Sequence, residues 1–271
     1  MQRLDLGLFW RDLLAIVRRH FAVFATLGAA FIFLPSVVIG FAFPDAATPH
    51  MPDPSHPQQL SLLFWVMAAG LGLVTLLGYF SIGAITADPN EGGGRSIGAT
   101  IAGVVPKIGK MLVVILWLCL AELAVIIVVA IVAVIIGIVA GVSGAKLSPG
   151  TSAPMLIGFG VFVLALPPIF WVMTRLAPLL GVLLREPISA YASIKRAWQL
   201  SRGSAWRIFI LLLATMIVSL AVQLVLLAIA RAIGTAPAFP FIVIRSAFNT
   251  WLAVYLAAGY GVLYRQLAER D

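Results

Sequence analysis

Glu122 and Arg175 are ionisable residues set inside long apolar runs. A charge at the centre of a bilayer costs about 2.5–3.5 kcal/mol on insertion scales, so such residues are natural functional candidates. Glu122 lies twelve residues beyond Lys110, which is about 18 Å along a helix. Arg175 lies ten residues before Arg185, about 15 Å on the same scale. If the two runs form an antiparallel pair of helices, carboxylate and guanidinium come to similar depth, and the spacing predicts an ion pair. That pair would either lock two helices together or line a polar route. Gln223 and Asn249 repeat the arrangement, each sixteen residues from its nearest basic residue, Arg207 and Arg265. They predict an interhelical side-chain hydrogen bond, worth roughly 0.6 kcal/mol in membrane proteins.

Other chemistry is thinly represented. The histidines are His20, His50 and His56. His50 and His56 flank Asp53 in a proline-rich stretch, which reads as an extended loop, so no metal site is expected. Glu91-Gly-Gly-Gly-Arg-Ser96 lacks the Lys-Ser/Thr pair of a phosphate loop and predicts a turn, with Ser96 capping the helix that follows. No Ser–His–Asp or Cys–His constellation is present. Acid–base work would fall on Glu122 or Glu186, and Glu186 is expected to cap a helix starting at Pro187. The chain is therefore read as non-catalytic and without a cofactor.

The elements that carry these residues follow from composition. Of 271 residues, 62% are hydrophobic and 10% charged, where a soluble domain carries about 25% charged residues. This mixture excludes a soluble enzyme, and the single cysteine, Cys119, excludes a disulfide scaffold within the chain. The net charge of +8 would suit nucleic acid, but the basic residues punctuate apolar runs and read as topology signals instead.

The fold class expected is an all-α polytopic membrane protein, a single membrane domain over residues 1–271. Six runs reach the ~20 residues a span needs: about 21–43, 60–86, 111–141, 155–184, 206–230 and 241–264. Pro178 predicts a kink in the fourth. Ala253, Ala257 and Gly261 form a small-residue stripe in the sixth, which predicts close helix approach. Fourteen Lys and Arg fall in the N-terminal segment, the loops after spans two and four, and the C-terminal end, against Lys146 and Arg231 on the other side. That asymmetry places both termini in the cytoplasm.

Three basic amphipathic stretches precede the odd-numbered spans, at about 4–20, 96–110 and 188–202. In the first, Leu6, Phe9, Leu13 and Val17 oppose Asp5, Asp12 and Arg19. Gly203 is the expected stop of the third. The layout suggests three copies of one unit, an interfacial helix followed by a helical hairpin. Such helices bind anionic headgroups through apolar burial and charge together. The residues assigned to headgroups are Arg18, Arg19, Lys107, Lys110, Lys195, Arg196, Arg202 and Arg207. Expected partners are membrane lipids and a protein, not nucleic acid.

The run Trp171, Arg175, Pro178, Arg185-Glu186-Pro187-Ile188, Lys195-Arg196-Ala197-Trp198, Leu200-Ser201-Arg202-Gly203, Trp206-Arg207 resembles the bacterial glycerophosphoryl diester phosphodiesterase membrane-domain family over residues 171–211. Elsewhere only the layout of spans agrees. The resemblance implies six spans, a bacterial inner-membrane location and a membrane module that accompanies something else. Some members carry a soluble phosphodiesterase barrel, which needs on the order of 250 residues. Six spans leave no room for one, so that activity is not carried over. The function expected is an accessory or scaffold module that binds headgroups or a partner. The alternative is a transporter or lipid-handling protein with Glu122 and Arg175 along its route.

Overall fold

The computed structural model describes residues 4–43, 61–87, 96–142, 167, 169–233 and 239–269. All regular structure among them is helical. Helix α1 (Leu6–Arg19) is followed by α2 (Phe21–Ala42), α3 (Leu62–Ala87), α4 (Ile97–Val104), α5 (Ile108–Val142), α6 (Leu179–Arg185), α7 (Ala190–Leu200), α8 (Ala205–Ile233) and α9 (Phe239–Ala268). A further helical stretch covers 169–176. Five helices among the described residues are long and apolar enough to cross a membrane: α2, α3, the stretch beginning with α4 and running into α5, α8 and α9. The remaining expected span, 155–184, lies partly outside the described residues. Its described part breaks at Ala177–Pro178, where proline cannot continue the ladder.

Local sequence sets the helix ends. Asp5 Oδ1 accepts the amides of Gly7 at 2.8 Å and Leu8 at 3.2 Å, which starts α1. The periodic residues Phe9, Leu13, Ile16 and Val17 are its buried face. His20 (φ −109°, ψ 21°) separates α1 from α2. Within α2 a π turn at Ala29–Phe33 ends two residues before Pro35; the wider turn accommodates a residue that has no amide to donate. Gly203 takes φ +82° after α7, a conformation glycine adopts without a Cβ penalty.

The second basic stretch departs from expectation. Ser96 does cap it, accepting from the Ala99 amide at 3.2 Å. However, α4 passes through one 3-10 turn at Val105–Lys107 straight into α5. Pro106 tightens the helix there without ending it, because the turn's geometry tolerates a missing donor.

The core forms where α3 and α9 cross, with α2 and α6 against them. Glycines permit this. A Cβ on Gly261 would lie 2.0 Å from Thr86 Oγ1 and 2.9 Å from the Ala87 amide nitrogen. One on Gly181 would overlap the Tyr264 ring. Thr86 directs its hydroxyl back to Ile82 and Gly83 carbonyls of its own helix, so it leaves no unpaired donor at the crossing. Helix α1 lies along α9, and α7 packs on α6 and α5.

Candidate functional site

The basic residues of α5, α6 and α7 gather around the segment that joins α6 to α7. Residues 186–189 are extended there, because Pro187 disfavours the helical conformation for the residue before it. The next helix therefore starts at Ala190 with Ser189 as its cap, Oγ accepting from the Ala192 amide at 3.3 Å. Glu186 does not cap, as the sequence suggested, since it stands too far ahead of the first helical turn. Its Oε1 accepts the Tyr264 hydroxyl at 3.2 Å and faces Arg196 Nε at 3.5 Å.

Two lysines expected on headgroups have other partners. Lys110 Nζ donates to the Glu186 carbonyl at 3.1 Å, and Lys107 Nζ donates to the Leu184 carbonyl. Both satisfy carbonyls at the end of α6, where positive charge opposes the helix dipole. Arg207 Nη1 likewise donates to the Leu4 carbonyl, and Ser204 Oγ accepts the Leu4 amide at 3.1 Å. Arg18, Arg19, Lys195 and Arg202 are exposed.

Arg175 occupies the most distinctive position. Its guanidinium carbon lies 4.8 Å from the ring centroid of Trp171 and 5.6 Å from that of Trp198. The attraction of a cation for indole faces holds it there. Its Nε and Nη1 are buried and have no hydrogen-bond partner among the described residues. A guanidinium keeps its charge, so those donors call for an acceptor that the described residues do not supply.

The expected ion pair is not formed: among the described residues nothing joins Glu122 to Arg175. Residues 119–128 of α5 are all exposed, close to three turns of helix. Equal depth does not fix the direction in which a side chain points, and Arg175 turns toward α7. By contrast, Gln223 and Asn249 are brought together, Nε2 donating to Oδ1 at 2.7 Å.

Sequence reasoning missed the anchoring of α1. Asp12 Oδ2 accepts from Gln266 Nε2 at 2.9 Å and from Arg265 Nη2 at 3.3 Å. The sole signal was an acid on the polar face of a basic helix. No group of three or more metal-ligating side chains occurs among the described residues. Residues 44–60, with His50, Asp53 and His56, and residues 88–95 lie outside them. The chain matches no protein-family model, no curated protein and no solved structure.

Proposed function

We propose that this chain is a non-catalytic membrane module that holds phosphate-bearing lipid headgroups at its basic face. The observation that carries the reading is Arg175, set between Trp171 and Trp198 with two buried donors unpartnered. A phosphate oxygen supplies the missing acceptor, and guanidinium–phosphate hydrogen bonds are among the stronger ones proteins make. Exposed Lys195 and Arg202 add long-range attraction for an anionic surface. The residues behind the family resemblance support the same reading, because Trp171, Arg175 and Trp198 converge, as do Glu186 and Arg196.

In this reading the chain has six spans and both termini face the cytoplasm of a bacterium, with the basic face on the inner leaflet. The three-unit layout describes its ancestry loosely, since the second unit has no separate interfacial helix. The acids support a non-catalytic role: Asp5 caps, Asp12 and Glu186 anchor, and Glu122 stands among exposed apolar residues. Among the described residues no ion pair joins Glu122 to Arg175, so the pair adds nothing in favour of a polar route. A protein partner would then meet a lipid-loaded surface.

The test is native mass spectrometry from nanodiscs holding phosphatidylglycerol and phosphatidylcholine. The full chain should retain phosphatidylglycerol preferentially, and Arg175→Gln should lower that preference about tenfold, the effect of about 1.4 kcal/mol. An unchanged preference in a folded Arg175→Gln variant would defeat the reading.

A further inference from the structure

The chain holds a second feature, an apolar cleft of about 210 Å³ between α1, α8 and α9. Two pins bound it, one between α8 and α9 and one between the start of α8 and the residue ahead of α1. One pin is the Gln223–Asn249 hydrogen bond. The other is Leu4, whose amide and carbonyl are both bonded by the start of α8, through Ser204 and Arg207. Phe9, Trp10 and Leu13 of α1 roof the opening between them.

The length of the cleft identifies its occupant. Its α8 wall runs from Ile208 to Val218 and its α9 wall from Leu263 to Trp251. Those ten- and twelve-residue separations correspond to about 15 and 18 Å of helix. One leaflet is about half of the ~30 Å hydrocarbon core. The cleft is therefore one leaflet deep, begins beside the basic face and stops short of the polar pin. Its lining is almost wholly hydrocarbon and aromatic. At the end nearer the basic face, Arg11 and Arg207 adjoin the lining residues Trp10 and Ile208 in sequence, and Asp12, the acid nearest Arg11, is tied to Gln266 and Arg265.

We infer that this cleft seats one acyl chain of a phospholipid from the leaflet at the basic face, with α1 as its lid. The site goes beyond headgroup binding at Arg175. Leu263 lines the cleft while its neighbour Tyr264 reaches Glu186, so the two sites occupy different faces of α9. Seating a chain there fills space that α8 and α9 leave unpacked and removes apolar wall from water at the membrane edge.

The experiment uses the full chain in nanodiscs of phosphatidylcholine alone, so that its outcome does not depend on anionic headgroups. After exchange into detergent, native mass spectrometry should find one retained lipid per chain. Ala214→Trp, which adds an indole to the lining, should lose it. Acyl-brominated phosphatidylcholine gives a readout that needs no filled variant. Quenching of tryptophan should persist after detergent exchange and disappear in the Trp10→Phe, Trp251→Phe double variant. A retained lipid unaffected by Ala214→Trp, quenching that vanishes on exchange, or a dimer broken by Ala214→Trp would each overturn the inference. The last would make a second copy the occupant. Failure of the Arg175 reading shows instead as a headgroup preference that Arg175→Gln leaves unchanged, with the lipid count in phosphatidylcholine unaffected.

Discussion

Asp12 Oδ2 accepts a hydrogen bond from Gln266 Nε2 at 2.9 Å, and thereby ties the first helix to the last. Arg265 adds a charged donor to the same oxygen at 3.3 Å. Hydrogen bonds to a charged group contribute about 1.5–3 kcal/mol. Partial exposure of Asp12 lowers this toward the smaller figure. Asp12→Ala should therefore destabilise the protein by roughly 1–2 kcal/mol. Thermal unfolding in detergent checks it. Limited proteolysis should also show α1 released before the helices of the core.

Gly261 faces Thr86 with no room for a methyl group. The added carbon would also lie 2.9 Å from the Ala87 amide nitrogen, so relief requires moving a helix. Gly261→Ala should cost about 1–3 kcal/mol, the usual range for overpacking. Gly259→Ala is the matched control, since its Cβ would meet only Phe9 Cζ at 3.6 Å, an ordinary contact. The two melting temperatures should separate, with Gly259→Ala close to the parent.

The stripe containing Ala257 and Gly261 was legible because close approach requires small residues at helical spacing, a purely local rule. The cap at Ser96 and the break at Pro178 were legible for the same reason. The partner of Glu186 was not, because Tyr264 is 78 residues away and no periodicity relates them. The Glu122–Arg175 pair failed at the same step. Rise per residue gives depth, but the azimuth of each helix is set by packing that one sequence does not display. Gln223 and Asn249 came together because their sequential helices also present those faces to each other.

Glu122 offers a direct check on that distinction. Breaking a buried ion pair costs about 3–5 kcal/mol. Because Glu122 has no such partner among the described residues, Glu122→Gln should leave the melting temperature unchanged or raise it slightly, as a neutral amide is cheaper than a charge among apolar neighbours. A fall of several kcal/mol would show that the carboxylate is paired after all. Measurement in nanodiscs and in detergent should agree in sign.

His20 predicts how stability varies with pH. It is buried at the junction of α1 and α2, and burial, followed by repulsion from Arg19, holds its pKa below the usual 6.5. The unfolded chain therefore binds a proton at a pH where the folded chain does not. Stability contributed by the neutral imidazole is complete above pH 6.5 and falls as pH drops below it, levelling only beneath the folded pKa. The melting temperature should decline between about pH 6.5 and 5 in the parent protein. His20→Gln cannot take up that proton, so the decline over this interval should be smaller. Equal slopes for parent and variant would show that His20 does not carry the acid sensitivity.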